Sequence, residues 1–121
     1  MSKNLRIGYL GPEGSFSEQA ALKFCKEENL EANLVPLSSY ALADALKNKR
    51  AEKIIVPVEN SIEGFVNLTF DILNGGSNFL IEKEIVLKIE QNLLGLGKIS
   101  TIKSVYSHPE GLAQCRKFLD K

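Results

Sequence analysis

Apolar and polar positions in this chain follow first one period and then another, and the changes of period mark its elements. Leu5-Arg6-Ile7-Gly8-Tyr9-Leu10 reads as a short strand, closed by the turn residues Gly11-Pro12-Glu13-Gly14. Ser15 with Glu18 three residues on fits a capping box, and Phe16, Ala20 and Phe24 recur as an apolar stripe, so a helix is predicted to about Asn29. Asn33 to Leu37 is a second strand. Ser38 or Ser39 caps a second helix carrying Leu42, Ala45 and Leu46, with Lys47, Lys49 and Arg50 at its negative end. Lys53 to Val58 is a third strand.

Three strands joined through helices by short connections require a parallel sheet, because parallel neighbours need a crossover between them. The fold class is therefore α/β. After a polar turn from Glu59 to Gly64, Val66 to Leu73 is predicted as a short helix, stopped by the linker-like Asn74-Gly75-Gly76-Ser77-Asn78. Beyond it, Ile85, Leu87 and Ile89 alternate with Glu84, Lys88 and Glu90, broken only by Val86, the pattern of a half-buried strand opening a second lobe. Lys103 to Ser107 is a further strand. Pro109 at the first helical position opens a helix with Leu112, Cys115 and Leu119 on one side. That pattern still runs at Phe118-Leu119-Asp120-Lys121 with no Gly or Pro stop, the expectation for a chain cut inside a helix; a natural helical C-terminus is the alternative.

Charge and composition narrow the partners. Fifteen Lys and Arg balance fifteen Asp and Glu over 121 residues, with no block of one sign, so neither nucleic acid nor an acidic membrane is favoured. No apolar run reaches membrane-spanning length, no signal peptide opens the chain, and a cytoplasmic location is expected. Cys25 and Cys115 sit on apolar helix faces and suit buried thiols; with one histidine, no metal site is expected.

Three strand-to-helix connections can carry chemistry. In open α/β sheets, ligands bind beyond the carboxyl ends of the strands. Glu59, Asn60 and Ser61 follow a buried strand directly, although Asn60 and Ser61 serve equally well as helix caps. The backbone of Gly11-Pro12-Glu13-Gly14-Ser15 can hold a carboxylate at a helix N-terminus or be a capped turn and nothing more. It lacks the glycine and lysine patterns of nucleotide loops. In Ser107-His108-Pro109-Glu110-Gly111, residues 107, 111 and 114 share one helical stripe, so Ser107 and Gln114 can face one cleft across Gly111. His108 reads equally as an exposed cap residue.

Taken in order, Gly11-Pro12-Glu13-Gly14-Ser15-Phe16-Ser17, Val56-Pro57-Val58-Glu59-Asn60-Ser61 with Gly64, and Ser107-His108-Pro109 with Gln114-Cys115 resemble the successive motifs of the prephenate dehydratase family. Ser15 stands where that family usually has Thr, and Glu110-Gly111 replaces a more usual Gln-Ala. The resemblance implies two α/β lobes similar to type II periplasmic binding proteins, here 1–77 and a second begun at 78–121 and incomplete at the C-terminus, since the family's Thr-Arg-Phe motif is not present. It implies conversion of prephenate to phenylpyruvate in phenylalanine biosynthesis, with no metal or organic cofactor. Glu59, Asn60, Ser107 and Gln114 would be the functional side chains, and Gly14, Ser15, Ser61 and His108 substrate-binding or loop-shaping residues. A chain of this length alone is expected to turn over little substrate, and a homo-oligomer is expected to cover its apolar surface. The rival class is a non-enzymatic small-carboxylate binding module of the same architecture.

Overall fold

The computed structural model describes residues 5–60, 64–75 and 79–121, which fall into two compact units, one ending at Leu87 and the other spanning Lys88–Lys121. In the first, β1 (Arg6–Leu10), β2 (Asn33–Leu37) and β3 (Lys53–Ile55) form a parallel sheet in the order β2-β1-β3, connected by α1 (Phe16–Glu27) and α2 (Ser39–Lys47). The expected α/β class and its three crossover-linked parallel strands are therefore present. From β1 the chain moves to one neighbour and then returns past β1 to the other. Right-handed crossovers in opposite directions put α1 and α2 on opposite faces of the sheet.

The central strand carries the core. Ile7 and Tyr9 point to one face and are buried, as are Ala21 and Phe24 of α1, Leu42 and Ala45 of α2, and Ala51. Burial of each large side chain in this set contributes about 1.5–3 kcal/mol before the cost of ordering it. Gly8 faces the other side, where a Cβ would meet Leu37 Cδ1 at 2.8 Å and Ile54 Cγ2 at 3.4 Å; a larger residue would wedge β1 away from its neighbours. The stripe on α1 is centred on Ala21 and Phe24, with Phe16 and Ala20 half-buried. Cys25 and Cys115 are free and half-buried, so the expectation of buried thiols is met only in part; burial nonetheless pushes the Cys25 thiol up.

Both caps read from the sequence are formed. Ser15 Oγ accepts from Glu18 N at 3.2 Å, and Ser38 Oγ accepts from Ala41 N at 3.3 Å. The third strand, expected to reach Val58, leaves the ladder at Ile55, since Pro57 has no N–H to continue it. A small antiparallel pair follows, β4 (Glu59–Asn60) with β5 (Gly64–Phe65), leading into α3 (Asn67–Asn74). The expected lobe boundary at 77/78 lies outside the described residues. Beyond it, Lys83 pairs with Glu28 (2.6 Å) and Glu27 (3.0 Å), Lys23 donates to the Val86 carbonyl (2.6 Å) and Lys53 pairs with Glu82, so 79–87 is tied by charge to the first unit.

Two expected strands are absent. Residues 84–90 and 103–107 have no ladder partner among the described residues and are irregular. An alternating pattern shapes a face, but a strand exists only where a neighbour takes up its N–H and C=O groups. The second unit instead contains a 3₁₀ turn at Ile99–Thr101 and two short helices, α4 (Pro109–Gln114) and α5 (Arg116–Leu119). The single helix expected from Pro109 is interrupted at Cys115 (φ −106°, ψ 11°), although Cys115 N still donates to Gly111 O and Leu119 N to Cys115 O.

Candidate functional site

The connections that leave β1 and β3 emerge at the same edge of the sheet, because the strands are adjacent and parallel. With the order β2-β1-β3, that edge between β1 and β3 is where the chain reverses its direction of travel, the position at which open α/β sheets form their ligand crevice. Gly14 and Ser15 follow β1, and Glu59 and Asn60 follow β3. The segments that carry Gly14–Ser15 and Glu59–Asn60 thus leave the sheet from the same edge.

The turn after β1 is rigidly built. Gly14 takes φ +86°, a conformation side chains disfavour, and its Cα faces open space. Ser15 Oγ also donates to the Leu10 carbonyl at 3.0 Å, fastening helix start to strand end. Glu18 reaches back past its helix: one carboxylate oxygen accepts from Gly14 N (3.2 Å) and the other from the buried Tyr9 hydroxyl (2.7 Å). Burial first, and then the Glu18 carboxylate, push the Tyr9 phenol up to about 12. A capping box accounts for Glu18 near Ser15; the tie to Tyr9, two strand positions before the turn, carries no local signal.

The turn after β3 is a hairpin. Glu59 pairs with Phe65 and Asn60 with Gly64. Val66 N donates to Val58 O at 2.8 Å, and the Thr69 hydroxyl, on a residue 1% exposed, donates to the Pro57 carbonyl. Glu59 is exposed, and Ser61 lies outside the described residues. Val66 is the N-cap of α3, with no side-chain bond. An open hollow of about 430 Å³ lies on the other side of β1, lined by Gly11, Pro12, Pro36, Leu37, Ser38 and Ser39 among others, and includes none of the predicted site residues.

The second unit holds the remaining candidates. His108 is the N-cap of α4, its Nδ1 accepting from Glu110 N at 3.1 Å, so the cap role weighed for it is realised. Ser107 donates to the His108 carbonyl at 3.0 Å and lies over Gly111, where a Cβ would overlap its hydroxyl. Gln114 Oε1 accepts from Gln91 Nε2 at 2.9 Å, which leaves the Gln114 amide N–H groups free to donate. Sequence reasoning missed Gln91 and Thr69. Neither stands in a motif, and only the folded chain shows what each touches.

In open α/β proteins the carboxyl edge of the parallel sheet is where ligands are held. A family model described as prephenate dehydratase matches residues 7–121. The chain is 39% identical over 97% of its length to a prephenate dehydratase of Lactococcus lactis subsp. cremoris, and 38% identical over 98% to that of Methanocaldococcus jannaschii. It is 40% identical over its whole length to a bifunctional chorismate mutase/prephenate dehydratase of Aquifex aeolicus. A solved prephenate dehydratase from Streptococcus mutans matches 62% of this chain and 38% of its own, with 39% identity and a TM-score of 0.55. The chain belongs to the prephenate dehydratase family. It spans 41%, 43% and 33% of the Lactococcus, Methanocaldococcus and Aquifex relatives respectively.

Proposed function

We propose that this chain supplies prephenate-binding groups of a prephenate dehydratase, a carbon–oxygen lyase that converts prephenate to phenylpyruvate, carbon dioxide and water. The observation that carries this reading is that the Gly14–Ser15 turn and the Glu59–Asn60 hairpin follow two adjacent parallel strands, in a chain of that family. Aromatisation drives the reaction, so the protein's task is to hold a dianion and to donate a hydrogen bond or proton to the departing hydroxyl. General-acid help of that kind contributes roughly 10²–10⁴ in rate, and preorganised donors hold the carboxylates. Asn60, Ser107 and Gln114 act as donors, Glu59 organises the pocket, and Gly14, Ser15, Ser61 and His108 bind substrate or shape its loops. The free amide N–H groups of Gln114 support the donor role.

In this reading residues 1–77 and 78–121 belong to two lobes of a type II periplasmic-binding-protein-like architecture in a cytoplasmic enzyme. Leu94, Leu96, Ile99 and Tyr106 of the second unit are 65–98% exposed, an apolar surface that a homo-oligomer would cover.

The test is phenylpyruvate formation from prephenate near neutral pH, against a no-protein control for spontaneous aromatisation, with prephenate binding measured by calorimetry. Turnover or selective binding that is lost in Asn60→Ala or Gln114→Ala supports the assignment. Equal binding of prephenate and unrelated dicarboxylates would make the chain a general carboxylate binder. A folded chain that binds none of them overturns the proposal.

A further inference from the structure

Pro57 creates a problem that Thr69 solves. It lies two residues past the end of β3 and has no N–H to continue the ladder, and its carbonyl stands just before the Glu59–Asn60 hairpin. A part-buried carbonyl left without a donor there would be destabilising. The Thr69 hydroxyl from the first turns of α3 takes up that carbonyl, and Val66 N takes up the next one, Val58 O, at 2.8 Å. The hairpin is thus closed at its base by two bonds from the returning strand and helix. Thr69 is the buried polar side chain among the described residues of the core, set in a helix whose Ile72 is buried beside it. A residue needed only to fill that space would be a valine.

We infer that Thr69 is a positioning residue: its hydroxyl, through the Pro57 carbonyl, fixes where the Glu59–Asn60 hairpin stands and hence the geometry with which that hairpin meets substrate. Thr69 touches no substrate itself. This rests on the reading of Glu59 and Asn60 as prephenate-binding groups, and it adds a constraint from behind the site that the motif residues do not contain. Valine at 69 keeps the volume and removes the donor; serine keeps the donor and removes a methyl group.

The experiment compares wild type, Thr69→Val and Thr69→Ser in two readouts on the 121-residue chain: amide hydrogen exchange by NMR, and prephenate affinity per folded molecule by calorimetry. The folded fraction of each is set by far-UV circular dichroism. In Thr69→Val, exchange at the Val66 amide rises at least tenfold relative to the Ile7 and Tyr9 amides of β1, and prephenate binds at least tenfold more weakly. Thr69→Ser stays within about threefold of wild type in both. Unchanged Val66 exchange in folded Thr69→Val overturns the inference, as does unchanged prephenate affinity, and so does a serine variant no better than valine. If Thr69→Val does not fold, Thr69→Ser and Thr69→Ala decide: equal Val66 exchange in the two removes any role for the hydroxyl. A wild-type chain that binds no prephenate, with Val66 exchange responding as described, refutes the substrate assignment and leaves the hydroxyl's control of the hairpin standing.

Discussion

Ser15 and Ser38 occupy equivalent places, each the N-cap of a helix that follows a strand, yet they are not equally engaged. Each accepts from a helix amide, Glu18 N at 3.2 Å and Ala41 N at 3.3 Å, a cap whose loss to alanine costs about 1 kcal/mol. Ser15 alone of the two also donates, to the Leu10 carbonyl at 3.0 Å, a second bond worth about 1 kcal/mol net. Ser15→Ala is therefore expected to cost about 2 kcal/mol and Ser38→Ala about 1 kcal/mol. Ser15→Thr, which keeps both bonds, is expected to stay within about 0.5 kcal/mol of wild type. The chain has no tryptophan, so the assay is urea unfolding followed by far-UV circular dichroism, with unchanged m-values required before midpoints are compared. Equal losses for the two alanine variants would refute the second bond, and a threonine variant as weak as alanine would refute the cap.

Four further outcomes are expected. Leu42→Ala, at a fully buried site, lowers stability by about 2–5 kcal/mol, whereas Tyr40→Ala, 88% exposed, changes it by less than about 0.5 kcal/mol in the same urea assay. Hydrogen bonds from Arg6 hold the Glu52 carboxyl down at about 2, so its contribution is complete above about pH 4.5 and is lost as pH falls toward 2. The Tyr9 phenol lies at about 12, so its contribution is complete below about pH 10 and lost as pH rises toward 12. Glu52→Gln should flatten the acid side of a plot of urea midpoint against pH, and Tyr9→Phe the alkaline side. Gly111→Ala gains about 0.8–1 kcal/mol of helix propensity while pushing the Ser107 hydroxyl aside, so α4 strengthens by NMR exchange as prephenate affinity falls; both rising together would remove Ser107 from the site. Sedimentation velocity should show a dimer or larger species dispersed by Leu96→Glu, and a stable, compact monomer would count against assembly.

The first unit was legible because its signals are local. Ser15 with Glu18 and Ser38 with the run to Lys47 each specify a helix start within one turn of sequence, and the short apolar strands between them leave only a parallel sheet. The chain beyond Phe79 was misread where the sequence pattern described one partner of a pair. Ile85, Leu87 and Ile89 show a face, and no residue spacing says what lies beside it. The β4–β5 pair is two residues long on each side, below any usable period, so the Glu59–Asn60–Ser61 segment read as a turn. For the same reason the motif residues were visible in sequence while Thr69 and Gln91, which hold their neighbours in place, were not.

The segment from Phe79 to Leu87 is fastened within the first unit by lysine–glutamate pairs at its surface, with Leu80 and Ile81 turned out to solvent. Exposed pairs of this kind contribute roughly 0–1 kcal/mol each and weaken as salt rises. A stretch fastened this way loosens first as ionic strength rises, whereas the apolar core around the sheet is not screened by salt, so the same unit answers to ions at its surface and not at its centre.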